Sequence, residues 1–134
     1  MLLTKASEYA LLSLALIGEG GEPKDVETLS KQLEISKSFL AKVLQNLAKN
    51  EILISYKGAK GGFALNRQFD EISIIDVIKA AEGKKPSVFD CSPSQECCPI
   101  DCADSCIIWP FLNRLQNKID GFLANLTLKD ILEN

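Results

Sequence analysis

The chain has 134 residues, of which 46% are hydrophobic and 25% are charged, a composition typical of a globular protein with an apolar core. Its formal net charge is −3, it contains no histidine, and its five cysteines all lie between residues 91 and 106. The absence of histidine excludes a Cys/His zinc site and catalysis by histidine, and no apolar run approaches the roughly 20 residues of a membrane span. Because the N-terminus lacks the pattern of a signal peptide, we expect a cytoplasmic protein without membrane contact.

The first third of the chain predicts two helices. Apolar residues recur at helical spacing over residues 5–18, with Thr4 placed to cap the helix and glycines at positions 18, 20 and 21 suited to ending it. Asp25 then opens a shorter helix over residues 26–33, whose apolar face carries Val26, Leu29 and Leu33.

A third helix begins after Ser36, a good N-cap, and runs to about Leu47, with Asn50 as its C-cap. Its apolar residues form one amphipathic stripe: Phe39, Leu40, Val43, Leu44 and Leu47. Polar and small residues lie largely away from that stripe: Lys37, Ser38, Ala41, Lys42 and Gln45. The spacing therefore predicts a helix that buries one face and presents a basic face outwards.

The periodicity changes after this helix. Residues 52–56 are typical of a strand, and residues 63–65 begin a return strand. The segment between them, residues 57–62, contains two lysines and three glycines, which predicts a hairpin with a basic, glycine-rich tip. Glycines in such a tip allow the backbone to approach a neighbouring molecule closely.

Two short helices, a basic-faced helix and a basic hairpin follow one another in the order of a winged helix-turn-helix. Six basic residues and one acidic residue lie from Ser36 to Arg67, so this segment carries a net charge of +5. We expect the third helix to lie in the major groove of double-stranded DNA and the hairpin to contact the flank. The candidate DNA-binding residues are Ser36, Lys37, Ser38, Ala41, Lys42, Tyr56, Lys57, Lys60 and Gly61. The alternatives are a solvated basic face and a hairpin with a purely structural role.

The rest of the chain predicts three more helical segments. Ser73 caps a short helix that ends at Gly83, a long helix runs from about Trp109 to Asn125, and Thr127 caps a final turn. Apolar residues of the long helix recur at three- and four-residue steps: Ile108, Phe111, Leu112, Leu115, Ile119, Phe122, Leu123 and Leu126. Such a stripe favours the seam of a homodimer. Packing on the chain's own first helix is the alternative, and both are compatible.

The predicted fold class is therefore mainly α with a small β-hairpin: a winged helix-turn-helix followed by a long C-terminal dimerisation helix. We divide the chain into a DNA-binding domain over residues 1–83, a cysteine-rich cofactor loop over residues 84–106, and a dimerisation helix with a C-terminal turn over residues 107–134.

The cysteines of the loop are Cys91, Cys97, Cys98, Cys102 and Cys106. Clustered cysteines in a reducing compartment are typical of metal or redox sites rather than of structural disulfides. The loop lacks the paired C-x2-C knuckles of a zinc ribbon, whereas thiolates bind soft metals and iron–sulfur clusters. We favour an iron–sulfur cluster, either 2Fe–2S or 4Fe–4S. The alternatives are a metal-free thiol switch that forms disulfides on oxidation, a site for zinc or another soft metal, and a structural role without a cofactor.

No motif predicts an enzyme. A thiol reductase would carry C-x-x-C in a βαβ context, and a thiol nucleophile needs a base that histidine usually supplies; both features are absent from the sequence. A metal-storage module whose winged helix binds protein is a further alternative, and a salt-sensitive gel shift separates it from a DNA-binding regulator.

Three stretches of the chain resemble one family of regulators. They are LTKASEYALLSL, then ISKSFLAKVLQNLAKNEILISYKGAKGGFALNR, then the cysteine loop with CIIW and the LTLKDIL tail. Together they cover nearly the whole chain and resemble the Rrf2 family of winged-helix transcriptional regulators, in its cluster-binding branch. The resemblance implies a dimer with crossed long helices. We expect this dimer to bind a palindromic operator in double-stranded DNA. We expect a repressor whose cluster senses iron–sulfur status, redox state or nitric oxide.

The resemblance also implies a cluster held by three loop cysteines and a fourth, variable ligand. Cys91 matches the first family cysteine, and Cys106, followed by Ile-Ile-Trp, matches the third. The second is Cys97, which keeps the family gap from Cys91, or Cys98, which precedes Pro-Ile. The fourth ligand is Glu8 of the partner subunit, Cys102, or the spare member of the 97/98 pair. The alternative for Glu8 is an ordinary solvated helix residue.

Overall fold

The computed structural model describes residues 3–89, 91–94, 96 and 106–133. This part of the chain comprises helices and one antiparallel hairpin, so the predicted fold class is confirmed. The elements in chain order are α1 (Lys5–Gly20), α2 (Val26–Leu33), α3 (Lys37–Lys49), β1 (Leu53–Tyr56), β2 (Gly62–Leu65), a 3-10 turn (Phe69–Glu71), α4 (Ile74–Glu82), α5 (Trp109–Asn125) and α6 (Leu128–Leu132).

Most helices begin at the residues that the sequence predicts. The side chains of Asp25, Ser36, Ser73 and Thr127 accept hydrogen bonds from first-turn backbone N–H groups of α2, α3, α4 and α6. Thr4 is the N-cap residue of α1, as predicted, but its side chain makes no capping hydrogen bond. Its backbone N–H instead donates to Oε1 of Glu82, at 2.8 Å, so α1 is fixed at its start by α4.

The end of α1 also differs from the prediction. The helix continues through Gly18 and Gly20, and Gly21 ends it in the left-handed conformation at a φ of 68°. Gly18 lies beside the ring of Phe69, and a Cβ there would be 2.1 Å from Cζ of that ring. Its lack of a side chain therefore makes room for a neighbour instead of ending the helix.

One apolar core joins α1, α2, α3, α4 and the hairpin, and we call residues 3–83 the winged-helix head. Side chains from each of these elements are buried in it, among them Leu14, Ile17, Leu29, Leu40, Leu44, Leu47, Leu53, Phe63, Val77 and Ile78. Burial of one such side chain contributes about 1.5–3 kcal/mol, so the head has a large apolar contribution to its stability. Phe39 departs from the predicted stripe: it is 40% exposed and meets the ring of Tyr9 edge-on, with 5.7 Å between ring centroids.

The hairpin is the predicted wing, and a third segment supports it. β1 and β2 pair antiparallel, from Leu53 opposite Leu65 to Tyr56 opposite Gly62. On the other side of β2, the backbone of Lys24 exchanges two hydrogen bonds with Phe63, at 2.9 and 2.8 Å. The chain between α1 and α2 therefore holds the wing against the head, a contact that the sequence analysis did not foresee.

The C-terminal helices α5 and α6 pack against the winged-helix head. Leu123 of α5 and Leu128 of α6 belong to the same apolar core. Backbone hydrogen bonds of 2.9 Å join Ile74 to Leu126, and Leu128 to Ile72, on either side of the Ser73–Thr127 bridge. The end of α5 is thereby fixed to the start of α4.

The predicted apolar stripe of α5 divides into two faces. Leu112 and Leu123 are buried within the chain, whereas Ile108, Phe111 and Phe122 are more than half exposed. Among the described residues, no helix combines the length and the apolar character that crossing a membrane requires.

Candidate nucleic-acid interface and cysteine loop

The start of α3 presents the residues predicted to enter a DNA groove. Lys37, Ser38 and Lys42 are exposed, and Ala41 between them is half-buried. Ser36 is the N-cap: its Oγ accepts a hydrogen bond from the backbone N–H of Phe39 at 3.5 Å and lies 3.0 Å from Oγ of Ser38. The buried side of the same helix, Leu40 to Leu47, seats it in the head. Its polar side is consequently held outwards.

The start of α3 differs from the starts of most other helices. Acidic side chains occupy the first turns of α1, α2, α4 and α6, where the helix dipole favours them. The first turns of α3 and α5 have no acidic residue, and that of α3 begins with Lys37. The nearby carboxylate of Asp25 interacts with Lys37 and offsets part of this unfavourable charge. Because exposed N–H groups at a helix start bind phosphate, the first turn of α3 is suited to an anionic partner.

The wing tip carries the other predicted contacts. Tyr56, at the end of β1, is 49% exposed, and Lys57 and Lys60 are exposed on the turn that follows. Gly61 is packed under this turn: its N–H donates to the Gly58 carbonyl at 3.0 Å, and a Cβ would lie 2.5 Å from the Tyr56 carbonyl oxygen. Gly61 therefore shapes the turn that presents the two lysines.

Glu8 lies on an exposed face of α1. Its carboxylate forms an ion pair with Nζ of Lys5 at 3.0 Å, and the side chain of Glu8 is 53% exposed. The hydrogen bond and the charge of Glu8 raise the pKa of Lys5. Lys5 also lies over the ring of Tyr9, 6.0 Å from its centroid, and Tyr9 contacts Phe39 of α3. Glu8 is thus linked to α3 only indirectly, through Lys5 and Tyr9.

Two of the five cysteines lie within the described residues. Cys91 and Cys106 are half-buried and carry free thiols. The carbonyl oxygen of Cys91 accepts a hydrogen bond from Nε1 of Trp109 at 2.9 Å, and Cys106 precedes Trp109 by three residues, so both cysteines lie near the start of α5. Cys97, Cys98 and Cys102 fall outside the described residues. Where the structure is described, no three metal-ligating side chains converge.

A polar face of α5, which the sequence analysis missed, holds the segment that leads into the cysteine loop. We call residues 86–89 and 91–93 the loop base. Trp109, Asn113 and Gln116 of α5 all hydrogen-bond to it, at steps of four and three residues that place them on one helix face. Polar residues at this helical spacing were visible in the sequence, but nothing there indicated what they would contact.

Comparisons with known proteins agree with this architecture. The family model described as "Rrf2: Iron-dependent Transcriptional regulator" matches residues 3–134. The HTH-type transcriptional regulator IscR of Serratia proteamaculans (strain 568) is 30% identical over 137 residues, which cover 100% of this chain and 80% of that protein. The corresponding IscR of Cronobacter sakazakii (strain ATCC BAA-894) is 29% identical, with coverage of 100% and 82%.

Solved structures show the same fold. Staphylococcus aureus CymR in its oxidized form superposes with a TM-score of 0.74 at 24% identity, covering 100% of this chain and 98% of that chain. The structure of T. potens IscR superposes with a TM-score of 0.70 at 23% identity, with coverage of 98% and 85%. Since the family model spans residues 3–134 and similar regulators match over the whole chain, this protein belongs to the Rrf2 family of winged-helix transcriptional regulators.

Proposed function

We propose that this regulator is a repressor that binds a palindromic operator in double-stranded DNA as a homodimer, and that an iron–sulfur cluster in its cysteine loop modulates operator affinity. The proposal rests on one observation: α5 links the winged-helix head to the cysteine loop. A winged-helix head with an exposed basic face is fixed to the end of α5, and Cys91 and Cys106 lie at the start of the same helix.

The DNA half of the proposal rests on α3 and the wing. The recognition surface is the exposed start of α3. It comprises Ser36, Lys37, Ser38, Ala41 and Lys42. Lys57 and Lys60 at the wing tip contact phosphates, with Tyr56 and Gly61 shaping that contact. Side chains that enter a groove select sequence, while phosphate contacts set position and add affinity for any sequence.

The homodimer rests on the exposed face of α5. Ile108, Phe111 and Phe122 follow one side of the helix, and each is more than half exposed. Large apolar side chains along one helix face are typical of an interface with another helix. A second copy of α5 against this face would bury them and place two heads on a two-fold operator.

The donor chemistry of the loop fits an iron–sulfur cluster. Cys91 and Cys106 are free thiols at one end of α5, and thiolates are the usual ligands of such clusters. Cys97 or Cys98 is the third ligand, and the fourth is Cys102, the spare member of that pair, or Glu8 of the partner subunit. When bound, the cluster supplies iron chemistry that responds to redox state and nitric oxide. Glu8 is exposed, so it is accessible to another subunit.

Anaerobic absorption spectra with iron and acid-labile sulfide analysis test the cluster. Wild type is compared with Glu8→Ala, Cys102→Ala and the control Glu19→Ala, which removes another exposed carboxylate of α1. We expect visible bands with matched iron and sulfide in the wild type and the control, and loss of them in the variant that lacks the fourth ligand. Absence of iron and sulfide from wild type after anaerobic reconstitution would overturn cluster binding.

A metal-free thiol switch is the second candidate. The observation that favours it is that Cys91 and Cys106, both free thiols, flank the same loop near the same helix end. On oxidation by a peroxide, two thiols join as a disulfide while the peroxide is reduced to water. Intact-mass analysis after peroxide treatment, followed by operator binding with and without a thiol reductant, distinguishes this switch from a cluster. Zinc analysis of the same preparation tests a zinc site.

A further inference from the structure

A buried glutamine stands at the centre of the contact between α5 and the loop base. Gln116 is 2% exposed, although it lies on a helix whose neighbouring polar residues face solvent. Its Oε1 accepts hydrogen bonds from the backbone N–H of Val88 and from Oγ of Ser92, both at 2.8 Å. Its Nε2 donates to the Pro86 carbonyl at 3.0 Å and to Oδ1 of Asp120 at 2.8 Å. Both polar atoms of the amide are therefore fully used.

The hydrogen bonds around Gln116 extend directly to Cys91. Ser92 is completely buried, and its backbone N–H donates to the Phe89 carbonyl at 3.1 Å. The single hydrogen of its Oγ is shared between Oε1 of Gln116 and the same carbonyl, whose oxygen lies 2.7 Å from Oγ. The Ser92 carbonyl accepts from Nδ2 of Asn113 at 2.9 Å, and the Cys91 carbonyl accepts from Trp109. The backbone on both sides of the Cys91–Ser92 peptide is thus held by α5.

We propose that Gln116 is a positioning residue that fixes Cys91 at the start of α5 before any cofactor or oxidant reaches the loop. The regulatory role of this positioning rests on the proposed function, in which Cys91 is a cluster ligand or a thiol that forms a disulfide on oxidation. The placement of Cys91 itself does not depend on that function, because every contact involved lies within the protein.

The energetics of a buried polar network support this role. An amide that loses its partners while staying buried costs about 1–3 kcal/mol, so the loop base cannot leave Gln116 without a penalty. Replacing Gln116 with an apolar residue of similar length leaves the Val88 N–H and the Pro86 carbonyl without that partner. The loop base should then detach locally, because the apolar core of the head makes no use of these hydrogen bonds.

Gln116 also bonds to Asp120, one helical turn further along α5, so the same amide is tied both to the loop base and to its own helix.

Competitive alkylation measures the placement of Cys91 directly. The full-length reduced protein is treated briefly with iodoacetamide, and peptide mass spectrometry gives the ratio of labelled Cys91 to labelled Cys106. Gln116→Met is compared with wild type and with Gln32→Met, the same change at an exposed site on α2. We expect Gln116→Met to raise the ratio about fivefold, equivalent to about 1 kcal/mol, while Gln32→Met leaves it unchanged.

The emission of Trp109 provides a second readout, because it is the only tryptophan of the chain. Its Nε1 bonds to the Cys91 carbonyl, so detachment of the loop base should shift its emission to longer wavelength. Asn113→Ala, at a half-buried position, should change both readouts in the same direction but less. It decides the test if Gln116→Met does not fold.

The outcomes separate positioning from general stability. A residue that only stabilised the fold would expose Cys91 and Cys106 alike, so an unchanged ratio in both variants would overturn the proposal. A raised ratio with shifted emission supports it. If the wild type binds no iron or sulfide yet the ratio still rises, the positioning role stands and only the cluster assignment fails.

Discussion

The winged-helix head and the loop base are held by different kinds of interaction. The head has an apolar core in which Leu40, Leu44 and Leu47 of α3 are completely buried. The loop base is joined to α5 by a set of hydrogen bonds with Trp109, Asn113 and Gln116. Apolar burial is non-directional and shared by many residues, whereas a hydrogen-bond network depends on the geometry of each pair.

This difference indicates which part can change shape. Removing one contact from the core weakens the entire head, because its elements share one cluster. Breaking the bonds of the loop base is a local event of limited cost, and the head can stay folded through it. The proposed function requires this combination: a rigid DNA-binding surface and a segment that rearranges when its ligand or redox state changes.

The largest expected effect is on the core of the head. Leu44→Ala should lower the free energy of unfolding by about 2–5 kcal/mol, because Leu44 is completely buried and its removal leaves a cavity. Urea unfolding monitored by circular dichroism measures this. Phe39→Ala on the same helix is the control and should cost less, since Phe39 is 40% exposed. Equal losses for the two variants would contradict the burial pattern of α3.

The attachment of the wing is the next most sensitive feature. Gly62 has a φ of 144°, and a Cβ there would lie 2.5 Å from the carbonyl carbon and oxygen of Lys24. Gly62→Ala should therefore destabilise the protein by about 2 kcal/mol or more and loosen the wing. Gly58→Ala is the matched control, since Gly58 also has a positive φ, 106°, but no atom within 4 Å of its Cβ position. If both variants unfold at the same urea concentration, contact with Lys24 is not the cause.

Phosphate contact by the wing has a smaller, salt-dependent effect. Lys60→Ala should weaken binding to specific and random DNA alike, by about tenfold near 0.1 M salt, and reduce the slope of log Kd against log salt by about 1. Fluorescence anisotropy over a salt series measures both quantities. Lys129→Ala, an exposed lysine of α6, should leave the slope unchanged. Identical slopes for wild type and Lys60→Ala would exclude wing contact with phosphate.

The cap of α2 gives the smallest effect, and it depends on pH. Hydrogen bonds from Thr28 to the carboxylate hold the pKa of Asp25 below its usual range, with Lys37 and Lys31 adding to this. A depressed carboxyl pKa stabilises the fold above the unfolded-state pKa, near 4, and this contribution is lost as the pH falls through the folded-state value. Asp25→Ala should thus cost about 1 kcal/mol at pH 7.

The pH series provides the check on this prediction. The difference in unfolding free energy between wild type and Asp25→Ala should be constant from pH 6 to 8, roughly, and shrink below about pH 4. Glu22→Ala, at an exposed position shortly before α2, is the control. A difference that stays constant down to pH 3 or so would show that the charge of Asp25 contributes nothing to the cap.

Local signals made much of the head predictable. Ser36, Ser73 and Thr127 cap the helices that the sequence assigned to them, because a capping side chain acts within its own first turn. The glycine-rich tip between two strand-like segments likewise predicted the wing. The assignment of DNA-facing residues followed from helical spacing, since a helix that buries Leu40, Leu44 and Leu47 must present its other side outwards. The domain division and the site residues themselves stay predictions.

Errors and omissions arose where distant segments meet. The sequence alone determined the helices, the hairpin, the basic segment and the grouping of the cysteines. Each of these features depends on residues that are neighbours in the chain. Only the tertiary structure decided that Lys24 supports the wing and that Phe39 stays exposed against Tyr9. It also decided that Gln116 is buried under a segment 24–30 residues away in the chain. The physical reason is that helix spacing and caps depend on local backbone geometry, whereas burial depends on which distant segment packs on each face.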